Sequence, residues 1–298
     1  VGREALFVNS TGASNVAVGY RSLQANTTAN NNTAVGTDTL KVNTTGANNV
    51  AVGSLALDAN TTGNKNVAIG KGSLSANTTA HDNVAIGGEA LLLNTTGTLG
   101  TAVGSNALAA NTTGSSNTAI GANSMLVNAT GQDNVAVGRA TLDANTTGSS
   151  NTAIGMQALS ENTTASNNTA VGRNAMLVNT TGTQNVAVGA FALEDNTTAN
   201  DNTAIGYTSL YKNTTGTSNT AVGLQSLFSN LTGNQNTAIG KDTLRDNTTA
   251  ANNTAVGFNA LLTNTTGTFN TALGANALDA NTTASNNNAF GYGALTNN

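Results

Sequence analysis

In residues 31 to 47, "NNTAVGTDTLKVNTTGA", apolar side chains gather at Ala34, Val35 and Leu40, while Asn, Thr and Gly fill most of the remaining positions. The next stretch, "NNVAVGSLALDANTTGN", repeats that arrangement in the same number of letters. The Gly of the first cluster recurs at Gly19, Gly36, Gly53, Gly70 and onward to Gly291, always 17 residues apart. Self-similarity at a fixed short period marks a solenoid, whose coils bury their apolar faces only by stacking on one another. The pattern predicts an all-β chain: a parallel β-solenoid, or β-roll, of about seventeen 17-residue coils, continuous over residues 1–298. The chain starts in mid-repeat and without Met, so a longer parent chain is expected.

Each column of the repeat carries its own constraint. Gly19 and Gly36 stand where the chain must leave a strand and bend, a place for a residue without Cβ. Leu23 and Leu40 begin a column replaced only by Met125 and Met176, and it is expected in the core. Within "NTAVG" the period-2 rule puts Thr33 and Val35 on one face and Ala34 on the other. The aliphatic Val35 column is expected to point inward beside Leu40. Asn26, Asn43 and Asn60 head a column that runs to Asn298, with Thr28 and Thr45 two places further on in theirs. Both are expected inside, where an Asn stacked on the Asn of the next coil can pass amide hydrogen bonds along a ladder. Thr44, whose column admits Ala129 and Leu231, is expected outside.

Charge completes the pattern. All the charged residues fall in the columns of Lys71, Arg21, Lys41, Lys212 and Lys65, and lone charges are almost never buried. With the variable column of His81 these form adjacent pairs, which predicts bends joining the runs "NTAVG", "AL" and "NTTG". No bend accepts an insertion in any copy, and the Ala column of Ala17, Ala34, Ala51 and Ala153 admits nothing else. Facing outward, such a column would set the distance to another chain, which predicts a parallel homo-oligomer, a trimer, disrupted by Ala153→Leu. The competing reading is that Ala lines a coil too narrow for anything larger.

Composition narrows the function classes. With 33 Gly, no Pro, Cys or Trp and 3% aromatic residues, the chain is an odd recipe for an enzyme core, while its Val, Ile and Thr favour strand over disorder. A net charge of −4 gives no basic field for nucleic acid or an anionic membrane, and no apolar run reaches the roughly 20 residues of a membrane helix. Catalysis needs different groups converging on one point, whereas a repeat spreads identical groups along a line. His81 is read as a surface residue, and Asp82, Asp133 and Asp201 recur too sporadically for a calcium repeat, so no catalytic, metal or cofactor site is expected. The Asn-x-Thr matches from Asn9 to Asn281 read as the ladder and not as glycan acceptors; Asn31, Asn167 and Asn252, near bends, are the better acceptors.

Aromatic residues interrupt the charge-bearing columns at Tyr207, Tyr211 and Phe228. Exposed aromatics of this kind read either as a contact for a receptor or carbohydrate or as part of an intersubunit groove.

The runs "NTAVG" and "NVAIG" resemble the repeat coil of trimeric autotransporter adhesin heads of the YadA-like type. The fuller frame "NTAVGxxALxxNTTGxxN" is similar to repeat regions of bacteriophage tail fibres. The resemblance covers essentially the whole chain, although the 17-residue coil is longer than the adhesin coil and its "NTTG" run is extra. It implies trimeric parallel β-rolls at a cell or virion surface that bind host receptors or glycans. The expected role is a structural or adhesive extracellular fibre, and open strand edges at terminal rungs would let copies join end to end into a filament. Ice binding through the Thr27, Thr44 and Thr61 column is the alternative.

Overall fold

The computed structural model describes residues 1–296 and contains two compact units, Val1–Ser150 and Asn151–Asn298. The first holds strands β1 (Val16–Val18) through β8 (Val135–Val137), and the second holds β9 (Thr152–Ile154) through β17 (Asn288–Phe290). Each strand is three residues long, and within a unit each pairs in parallel with its counterpart one period away. Thr33, Ala34 and Val35 lie opposite Val50, Ala51 and Val52, and Thr203, Ala204 and Ile205 lie opposite Thr220, Ala221 and Val222. Both units are therefore parallel β-solenoids.

The strands are short because left-handed backbone closes them at both ends. Asn31 precedes one at φ 58°, and Gly36 follows it at φ 141°. A side chain on Gly36 would be strained at this φ, and its Cβ would lie 2.6 Å from the Gly53 carbonyl oxygen, so the column keeps Gly. Gly46 has no such φ, and its column accepts Ala29, Ala80 and Ala165.

Between strands the chain turns with non-glycine residues in left-handed backbone, Asp38 at φ 56° and Leu40 at φ 48°. Such residues are strained by about 1–3 kcal/mol each. The twist sends the N–H groups of these two residues to opposite neighbours: Asp38 donates to the Tyr20 carbonyl at 2.9 Å, and Leu40 donates to the Ala56 carbonyl at 3.0 Å. Bonding to both adjacent coils offsets the strain, and it buries Leu40 completely.

The two faces of each strand are the reverse of the sequence expectation. Ala34 and Ala51 are wholly buried, Ala17 nearly so, and the Val35 column faces out, with Ile69 38% exposed. Leu40, Asn43 and Thr39 already fill the coil, together with a second buried column headed by Asn32 and Asn49, so the strand can add only a methyl group. Ala153 is likewise wholly buried within its own coil, so the Ala column is an internal packing surface and not an oligomer contact. A leucine there would overpack the coil itself.

Asn43 donates through Nδ2 to Asn26 Oδ1 at 3.2 Å, and Asn60 donates to Asn43 Oδ1 at 2.8 Å, forming a buried amide ladder. Each amide also holds its own turn, as Asn43 does by donating to the Gly46 carbonyl at 2.9 Å. Asn298 lies outside the described residues. Thr28 and Thr45 are exposed, contrary to expectation, because the backbone turns immediately after Asn43 and the Asn side chains occupy the interior alone. Thr44 is half-buried and donates to the Thr61 carbonyl at 3.1 Å.

A second ladder was not expected. Asn49 donates its backbone N–H to Asn32 Oδ1 at 2.9 Å and its Nδ2 to the Gly63 carbonyl at 2.9 Å. Its sequence signal is an Asn immediately before every "TAVG"-type strand except at Gly100, whose N–H still donates to Asn83 Oδ1 at 2.8 Å.

Candidate binding surfaces

The strand face that points outward is built of two columns. The Thr33 column holds Thr or Val in every copy before Asn288, and the Val35 column holds Val or Ile until Leu273 and Phe290. Neither column carries a charge in any copy. Strand pairing aligns each side chain with its counterpart, so the apolar column is continuous within a unit. Ile154, Ile205 and Ile239 of the second unit are each 40% exposed, too open for a core and more apolar than solvent requires. Contiguous exposed apolar surface beyond a few hundred Å² marks an interaction site.

The charged columns lie on the bends, as inferred from their composition, with some drawn inward by partners. Arg21 Nε meets Asp38 Oδ1 at 2.7 Å, one coil away. His81 is exposed, with Nδ1 at 2.8 Å from Asp82 Oδ2. Asn31, Asn167 and Asn252 are all exposed. Among the described residues there is no group of His, Cys, Asp and Glu that could hold a metal ion, and no helix long and apolar enough to cross a membrane.

Tyr207, Tyr211 and Phe228 fall on one side of the second unit, although not as a single stack. Tyr211 and Phe228 lie nearly parallel, with ring centroids 5.2 Å apart and planes 6° apart. Tyr207 instead meets Phe191 edge-on at 5.9 Å and 87°. Phe191 went unread in the sequence because it is the only ring in its column. Its contact lies 16 residues away and not one period, an offset that the turn's own hydrogen bonds share, as from Leu193 to Ser209. Leu224, one period after Tyr207 in the same column, is 40% exposed and does not line the cleft these rings form.

Compared with known proteins, the chain matches no family model and no curated protein.

Proposed function

We propose that this chain is a structural and adhesive fibre segment, displayed outside the cell or on a virion, that associates with parallel copies of itself through the outward Thr/Val and Val/Ile face. The observation that carries this reading is the uncharged aliphatic column left exposed on rung after rung. A parallel cyclic assembly sets each rung beside the same rung of its partners, which explains why no coil tolerates an insertion. The resemblance to autotransporter adhesin heads and tail fibres favours a trimer. The Ala column plays no part in the contact.

The test is the native mass of the full chain by sedimentation equilibrium. The expected value is three times the 29.5 kDa chain. Replacing Ile154, Ile205 and Ile239 together with Asp is expected to yield folded monomers, since a charge on an outward face is harmless until a partner covers it. A wild-type monomer at micromolar concentration overturns the self-association reading. The outward Thr203, Thr220 and Thr237, one on each of three successive strands, favour ice binding as the second reading. Thermal hysteresis from such a monomer would support it, and none would remove it.

A further inference from the structure

The outward aliphatic stripe has two unlike borders. Just after each strand and its Gly runs the column of Lys71, in which every charge is basic, as at Arg139, Arg173 and Lys241. Two residues ahead of each strand runs the column of Asp82, Asp133 and Asp201, in which Lys65 is the one basic member. Asp133 and Arg139, which stand at opposite ends of β8, are both exposed, as are Asn167 and Arg173 around β10 and Gln235 and Lys241 around β14. An apolar core between polar rims is the layout of a protein interface.

The stripe by itself does not say where along its length a copy should sit. Its Val and Ile recur on every rung, so a partner displaced by one rung would meet the same surface. Only side chains that do not repeat can select a register, and those stand in the two borders.

Symmetry decides which borders meet. In a closed ring of parallel copies, the border after the strand on one copy faces the border before the strand on the next, on the same rung. Antiparallel copies would set the basic border against itself. In the parallel ring Arg139 meets Asp133, Arg173 meets the Asn167 amide, Lys241 meets the Gln235 amide, and the phenol of Tyr207, 52% exposed, meets Asp201 on the rung of β12. A slip of one rung either way would oppose Asp133 to Ala122 or Met156, and Asp201 to Ala190 or Leu224. The rung of β4 is the exception, with Lys65 opposite Lys71, and there Asp82 follows one rung on in the Lys65 column, about 4.8 Å along the axis.

We infer that the copies meet border to unlike border, the basic edge of each stripe against the acidic and amide edge of its neighbour, and that these rungs hold the copies parallel and in register. Complementary rim charges act in this way, setting orientation and register more than strength. The inference rests on the self-association reading and names the residues that align it.

The chain has no Cys, so introduced cysteines report which borders meet. Full chains carrying Asp133→Cys or Arg139→Cys, with different tags, would be co-expressed and treated with a short bis-maleimide. Cross-linked dimers bearing both tags are expected, with none when either variant is expressed alone. Leu99→Cys, two rungs or about 10 Å away in the Asp133 column, should not substitute for Asp133→Cys. Ser116 and Ser105 already stand in the two columns, so the cysteine variants keep the fold. Asp133→Lys, a change its column accepts at Lys65, should raise the protein concentration for half-association at least threefold in low salt, and adding Arg139→Glu to the same chain should bring it back. An oligomeric wild type whose cross-links join 133 to 133 or 139 to 139, or whose mixed cross-links are absent, overturns this inference and leaves self-association standing. Failure of the charge swap to restore association overturns it as well, whereas a monomeric wild type removes both readings.

Discussion

Asn213→Ala tests the physical basis of the coil most directly. Asn213 is wholly buried; its Nδ2 donates to Asn196 Oδ1 at 3.0 Å and to the Gly216 carbonyl at 2.9 Å, and its Oδ1 accepts from Asn230 Nδ2 at 2.9 Å. The damage of truncation is uneven. Gly216 keeps a second donor in Asn202 Nδ2, and Asn230 keeps the Gly233 carbonyl, but Asn196 Oδ1 loses the amide that satisfied it. An orphaned buried acceptor accounts for about 1–3 kcal/mol, and each of the other lost bonds for about 0.5–1.5 kcal/mol. The expected loss is therefore about 2–6 kcal/mol, before any small cavity term. Thr215→Ala, at an exposed position two residues on, should change stability by less than about 0.5 kcal/mol. Stacked repeats open locally, so the assay pairs denaturant unfolding with amide hydrogen exchange, and lost protection should concentrate in the coils of Asn196, Asn213 and Asn230. If Asn213→Ala costs no more than Thr215→Ala, the amide ladder does not hold the coil together and the reasoning fails.

Two further outcomes are expected. Gly206→Ala should be severely destabilising, because Gly206 has φ 132°, a backbone that L side chains rarely adopt, whereas Gly216→Ala should fold, since it has no such φ and Ala250 already stands in that column; circular dichroism melts decide between them. The Tyr211 phenol, held by partial burial first and then by the negative charge of Glu194 and Asp195, should ionise above its ordinary value near 10, so its contribution is fully present below that value and falls as pH rises through the folded one, the unfolded chain losing its proton first. Tyrosinate absorbance, taken as the difference between wild type and Tyr211→Leu, should show this late step, and Glu194→Gln should move it down; an unmoved step would disprove the coupling.

Much of the coil's chemistry is legible in the sequence. The Asn43 ladder could be read because a buried amide repeated at one period can only meet its own copy, and Leu40 because a large apolar residue recurring without charge has nowhere else to go. The aromatic cleft was legible only in part. Tyr211 and Phe228 share a column and differ by one period, so their stacking follows from the repeat. Tyr207 with Phe191, and Asn174 with Glu194, meet across columns at offsets of 16 and 20 residues that only the path of the turn sets.

The sequence alone determined the period, the register and the column partners, because a chain that repeats every 17 residues satisfies its backbone only by placing each coil on its copy. It also determined that Thr33 and Val35 share a face opposite Ala34, since that alternation is local geometry. Which of those faces is inside was decided by the tertiary structure. Alternation is unchanged when inside and outside are exchanged, so the choice rests on the volume left over once Leu40, Asn43 and Asn49 have filled the coil. That remaining space admits Ala34 and turns Val35 out to the surface.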